Sequence, residues 1–145
     1  MMHAKASTYF EIKPLWDEIR GKLTDDSDIL PTSGEFAGIY DGDRLAGAFI
    51  LRQWGEVCVE IHGGVHPDFW GKGVEILLVL GRAIFANTQF LKIVVFIPSF
   101  NRLMIACMKK IGMKHEGVIT GAFMKRMRLY DLHVYGITRS EAKGK

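Results

Sequence analysis

Between Val57 and Val65 the apolar positions Val57, Val59 and Ile61 alternate with Cys58, Glu60 and His62. That period of two, rich in β-branched residues, predicts a strand. His66-Pro67 ends it, because proline has no N–H to offer a ladder. The period then changes: Val74, Leu77, Leu78, Gly81, Ile84 and Phe85 recur at helical spacing, which predicts a helix from Gly73 or Val74. Between the two elements, Gly71-Lys72-Gly73 reads as a tight turn that leaves several N–H groups exposed. Such a turn feeding a helix N-terminus is an anion site, and a diphosphate suits it. The same glycines also fit plain turn punctuation.

The rest of the chain extends this pattern. Met1 to Thr8 reads as a loose end and Tyr9 to Ile12 as a short strand. Pro14 suits the first turn of a helix whose apolar face is Leu15, Trp16, Ile19 and Leu23. Asp25, Asp26, Asp28 and Pro31-Thr32-Ser33-Gly34 read as a loop. Phe36–Tyr40 and Leu45–Gln53 form a hairpin about Asp41-Gly42-Asp43, and Trp54-Gly55-Glu56 turns the chain into the Val57 strand. Leu91 to Ile97 is a nearly continuous β-branched run, expected to be an inner strand covered on both faces and ended by Pro98. Asn101 caps a further helix, with Leu103, Met104, Cys107, Met108 and Ile111 facing inwards and Gly112 closing it. Lys114–Ala122 and Tyr130–Ile137 are the last strands, and Thr138 to Lys145 is a charged tail. The sum is a mixed α/β (α+β) sheet with one or two helices per face.

Composition narrows the picture only a little. The 145 residues suggest one domain, 1–145, with 1–8 and 139–145 as loose ends. Hydrophobic residues at 48% suit a packed core, and a net charge of +3 is too mild to argue for nucleic acid. The short basic run Lys125, Arg126, Arg128 reads as a solvated loop or strand face. Cys58 and Cys107 form no C-x-x-C pair and sit in apolar segments, as buried reduced thiols of a cytoplasmic protein do. The N-terminus lacks a signal-peptide core, and no stretch reaches the roughly 18 apolar residues of a membrane helix. The histidines and cysteines show no metal-ligand spacing.

Two segments carry a resemblance. V-H-P-D-F-W-G-K-G-V-E-I-L-L resembles the lead-in and Q/R-x-x-G-x-G/A pyrophosphate loop of the GNAT superfamily of acyl-CoA-dependent N-acetyltransferases. N-R-L-M-I-A-C-M-K-K-I-G-M-K-H-E-G-V resembles that superfamily's Asn…Tyr-x-x-x-Gly-Phe-x-x-x-Gly stretch, and Y-D-L-H-V-Y-G-I-T-R-S-E is similar to its last strand. The match runs from about Phe36 to Glu141. It implies a GNAT-like mixed, mainly antiparallel central sheet with helices on both faces and a V-shaped splay between the fourth and fifth strands. It also implies acetyl-CoA as cosubstrate and an amine acceptor. The coenzyme would be met by Val65, Trp70, Gly71, Lys72, Gly73, Val74, Glu75, Ile76 and Asn101, its diphosphate on the amides of Lys72 to Ile76.

This chain departs from the family pattern. Trp70 stands at the Gln/Arg position, and Glu75 replaces a Gly or Ala, placing a carboxylate near the phosphates. Met108 replaces the tyrosine that often protonates the leaving thiolate, and Met113 replaces a Phe. For amine acetylation Glu60 is the best general base, with His62 as helper; Tyr135 or Tyr130 could supply the missing phenol. Glu60 and His62 also fit an ordinary polar pair on a half-exposed strand, and the tyrosines fit packing. His66 reads as a turn residue. Met104, Met108, Met113, Met124 and Met127 fit core filler or an adaptable protein-binding surface.

A narrower resemblance is to small GNAT-like proteins of tailed bacteriophages described as head-assembly or morphogenesis proteins. T-Y-F-E-I-K-P-L-W-D-E-I, F-A-G-I-Y, I-H-G-G-V and E-G-V-I-T carry it. Two functions are therefore expected. One is acetyl transfer from acetyl-CoA to a protein N-terminus or small amine. The other is a catalytically impaired assembly factor that binds phage structural proteins in the host cytoplasm. Glu75 and Met108 point to the second, and Glu60, His62 and the glycine turn to the first.

Overall fold

The computed structural model describes residues 1–23, 30–32 and 34–143. Seven strands form one sheet: β1 (Met2–Ser7), β2 (Glu35–Asp41), β3 (Arg44–Trp54), β4 (Cys58–Val65), β5 (Lys92–Pro98), β6 (Lys114–Lys125) and β7 (Arg128–Thr138). Their order is β1-β2-β3-β4-β5-β7-β6. Every neighbour pair is antiparallel except β4–β5. The expected mixed, mainly antiparallel sheet is therefore present, with the Asp41-Gly42-Asp43 hairpin as read: Asp41 pairs with Arg44 across it.

The helices lie on both faces. Helix α1 (Tyr9–Leu23) buries Ile12, Leu15, Trp16 and Ile19 against Phe36, Ala48 and Ile50. On the other face, α2 (Gly73–Asn87) buries Ile76, Leu80 and Ile84 against Ile39, Val59, Ile61 and Ile93. Helix α3 (Arg102–Ile111) sets Cys107 and Met108 on Ile97 and Tyr135. No helix among the described residues is long and apolar enough to cross a membrane.

Several expectations are corrected. Met2–Ser7 is an edge strand, not a loose end: it pairs with β2 from Met2↔Asp41 to Ser7↔Phe36. An edge strand needs few apolar residues, so its pattern is faint; only Met2 is fully buried. Tyr9 to Ile12 is helical. Thr8 Oγ1 accepts from the Glu11 amide at 3.2 Å and the Glu11 carboxylate accepts from the Thr8 amide at 3.0 Å, a capping box that starts α1 ahead of Pro14. Pro14 thus lies inside the helix. Leu103 is exposed, not inward-facing. The tail begins with a short helix, α4 (Arg139–Ala142), capped by Thr138 and Glu141. Strand β5 is an inner strand as expected, buried at Ile93, Val94, Ile97 and Pro98 and half-buried at Val95 and Phe96. The side chain of Leu23, the acidic run Asp25, Asp26 and Asp28, Ser33, and residues 144–145 lie outside the described residues.

Helix α2 has no basic residue in its last turn, so its C-terminal carbonyls lack a local cation. Arg139 supplies one from across the sheet. Its guanidinium donates to the carbonyls of Phe85, Thr88 (2.9 Å) and Phe90 (2.7 Å), and it sits 5.1 Å from the Phe85 ring centre. Arg139→Met keeps much of the stem and orphans these carbonyls. It should lower unfolding free energy by on the order of 2 kcal/mol, read by urea denaturation.

Candidate active site at the parting of two strands

Strands β4 and β5 pair only from Cys58↔Lys92 to Glu60↔Val94. Beyond that, β4 follows β3 as far as Gly47↔Val65, while β5 follows β7 to Pro98↔Leu132. The two therefore separate. The Val57 carbonyl accepts from the Leu91 and Lys92 amides, whereas the His66 amide donates to Ala46 of β3. Main-chain direction alternates along a strand, so the polar groups of Ile61, Gly63 and Val65 turn towards the opening. Gly63 is fixed by sterics: a Cβ there would stand 2.1 Å from the Ala48 carbonyl oxygen.

A cavity of about 280 Å³ fills the opening. Glu60, His62 and Arg52 line it, with Phe96, Phe123 and Leu132 among the apolar walls. Glu60 and His62 are brought together as expected, both half-buried. The Glu60 carboxylate is 3.9 Å from Arg52 Nη1, a loose ion pair, and its side chain is 14% exposed. The His62 ring meets the buried Trp16 edge-on at 5.4 Å. Sequence reasoning overlooked Arg52, although it was within reach: the turn that pairs Trp54 with Cys58 sets Arg52 opposite Glu60.

A second cavity, about 320 Å³, lies between the N-terminal ends of α2 and α3. Val65, Trp70, Gly73 and Asn101 line it, and it shares Asn101 and Met104 with the first. Asn101 caps α3, its Oδ1 accepting from the Met104 amide at 3.2 Å. The segment before α2 is not a tight glycine turn: Pro67–Lys72 is a 3-10 helix that runs directly into α2. His66 caps it, as a turn residue would, its Nδ1 accepting from the Asp68 amide at 3.0 Å. Gly73 has ordinary helical angles (φ −57°, ψ −40°). It is small for a different reason, since a Cβ would lie 3.1 Å from Cys107 Sγ, whereas Gly71 faces open space. Lys72 precedes α2 without a side-chain cap, so the first-turn amides of Val74, Glu75 and Ile76 have no side-chain acceptor there. The Ile76 side chain is in the core and the Glu75 side chain is exposed in the first turn, where the helix dipole favours it.

Trp70 reaches into this region. Its indole N–H donates to the Val65 carbonyl at 2.9 Å, occupying one polar group of the opened edge. Met108 is fully buried against Ile97 and Tyr135. Tyr135 packs in that cluster and beside His115, at 5.0 Å between ring centres, and does not line the cavity that holds Glu60 and His62. Tyr130 meets Phe100 edge-on, at 4.8 Å between ring centres.

With this geometry established, the chain can be compared with known proteins. The spermidine N-acetyltransferase from Vibrio cholerae, solved with CoA and spermine, superposes with a TM-score of 0.82 at 14% identity over 98% of both chains. An N-acetyltransferase from Staphylococcus aureus Mu50 gives 0.73 at 18% identity, over 95% of this chain and 97% of that one. A GNAT-family acetyltransferase from Bacillus anthracis gives 0.64 at 22% identity, over 73% and 67%. The fold is that of the GNAT acetyltransferases. A family model described as "Protein of unknown function (DUF2824)" matches residues 9–144, and the chain belongs to that family. No curated protein matches.

Burial pushes the Cys107 thiol pKa up from its ordinary value. Only the thiolate is reactive, so alkylation by iodoacetamide at pH 8 should be slower than for a free thiol. Burial raises the Cys58 thiol pKa as well, so its alkylation should be slowed in the same way. Peptide mass mapping reads both.

Proposed function

We propose that this protein is an N-acetyltransferase that moves the acetyl group of acetyl-CoA to an amine. The observation that carries the reading is the coincidence of an opened β4 edge with Glu60 beside it. The pantetheine arm, which carries amides, would pair with the main chain of Ile61 and Gly63. Its diphosphate would lie on the first turn of α2 with Lys72 and Arg102 nearby, and Asn101 would border the arm. The acceptor arrives as an ammonium and passes one proton to Glu60, directly or through water. The neutral amine attacks the thioester carbonyl, the C–S bond breaks as the C–N bond stands, and the amine's second proton goes to the departing thiolate. Nothing at Met108 can donate that proton, so the acceptor nitrogen itself is its source. The free thiols Cys58 and Cys107 fit work in the cytoplasm.

A second reading has its own support. Trp70 already holds the Val65 carbonyl, Glu75 adds a negative charge where phosphates would lie, and Met127, Leu129, Met124 and Ile119 are exposed on the β6–β7 hairpin. These features fit a GNAT-fold protein that has lost catalysis and binds a phage structural protein during head assembly.

Calorimetry with acetyl-CoA separates the two. Micromolar binding that Gly71→Glu abolishes supports the enzyme; Gly71 is the better control than Gly73, whose substitution would strike Cys107. In that case Glu60→Gln should keep acetyl-CoA affinity and lower kcat by about 10²–10⁴-fold. Absence of heat at millimolar acetyl-CoA excludes the enzyme reading and favours the assembly factor.

A further inference from the structure

We propose that the acceptor is a zwitterionic α-amino acid with a large apolar side chain, held by Arg52 and Glu60 as a paired anion and cation site. This rests on the acetyltransferase reading for its chemistry, but its evidence is the shape and charge of the cavity. Among the described residues that line the cavity, Glu60 is the one carboxylate and Arg52 the one permanent cation. They face each other across β3 and β4 in direct register, on the same side of the sheet. Their 3.9 Å separation is too long for a hydrogen bond, so each retains capacity for a second partner. Arg52 is 45% exposed at its side chain, with room to turn towards a ligand, whereas Glu60 is 14% exposed.

An α-amino acid carries its ammonium and carboxylate two bonds apart. Set between these residues, it would give its ammonium to Glu60 and its carboxylate to the guanidinium fork, which suits a carboxylate bidentately. The side chain would then run over the sheet face that α1 leaves bare. Phe96, Leu132, Phe123 and Ile119 share that face, and the Trp54 ring lies tilted against Phe96 at 5.3 Å between ring centres. Apart from Arg52 and Glu60, the described residues of the cavity wall carry no permanent charge, which selects an apolar or aromatic side chain. A polyamine fits poorly, because its further ammonium groups would meet Arg52 and hydrocarbon. A peptide N-terminus has an ammonium but no adjacent carboxylate, which leaves Arg52 without a role.

The test is calorimetric titration of the full chain with L-phenylalanine, phenethylamine, 3-phenylpropionate and spermidine, followed by the same titrations with Arg52→Gln. L-Phenylalanine should bind at least about tenfold more tightly than either monofunctional analogue, since each leaves one charged group of the site unpaired. Arg52→Gln should reduce L-phenylalanine to the level of phenethylamine while phenethylamine itself is unchanged. Failure of L-phenylalanine to bind, equal or tighter binding of phenethylamine or spermidine, or indifference to Arg52→Gln overturns the proposal. The two readings fail separately. Amino-acid binding by a protein that takes no acetyl-CoA removes the enzyme and keeps the site. Acetylation of phenethylamine in preference to L-phenylalanine keeps the enzyme and removes the proposal.

Discussion

Strand β5 can hydrogen-bond fully along only one of its edges, and it does so with β7, from Lys92↔Thr138 to Pro98↔Leu132. Strand β4 makes the same commitment to β3. Three residue pairs hold the two halves of the sheet together at Glu60 and before; past that point each half follows its own twist. The functional geometry depends on that division. It opens a strand edge inside the protein instead of at its rim, and unpaired main-chain polar groups in such a place call for a partner. A chain of amides such as pantetheine is a fitting one. Glu60 stands at the last paired position, so the sheet's most constrained point carries the side chain with the most chemical use.

The helices hold the opening from one side. Cys107 fits against Gly73 and brings the N-terminal ends of α2 and α3 together, forming the second cavity. At the far end of α2, Arg139 ties the helix and the loop after it to the C-terminal segment. Both ends of α2 are thus fixed by residues distant in sequence. The opposite face is treated differently. Helix α1 covers β2, β3 and β4 and stops, leaving Phe96, Leu132 and Ile119 with a partly open surface next to Glu60.

The departures from the family pattern take on physical meaning in this frame. Met108 is filler in a tight cluster with Ile97 and Tyr135, so the position is not a vacancy that a phenol could simply refill. Trp70 donates to Val65 and shortens the free strand edge to Ile61 and Gly63. Glu75 stabilises the start of α2 through the dipole and works against an anion at the same place. The fold accommodates all three residues.

The sequence by itself determined most elements. A period-two run marked β4, a nearly continuous β-branched run marked β5, Asp41-Gly42-Asp43 marked the β2–β3 hairpin, and Asn101 and Gly112 marked the two ends of α3, because these signals depend on local backbone geometry alone. It also put Glu60 and His62 on one face. The Thr8–Glu11 capping box is also a local signal, and it starts α1 ahead of Pro14. What only the tertiary structure decided is non-local. Met2–Ser7 becomes a strand because β2 offers it an edge, and Gly73 must be small because Cys107 arrives from another helix. Tyr135 falls into the core and Arg52 into the cavity according to which strand each pairs with. Periodicity tells a residue which side of its own strand it occupies. Only strand pairing and helix packing determine what lies across from it.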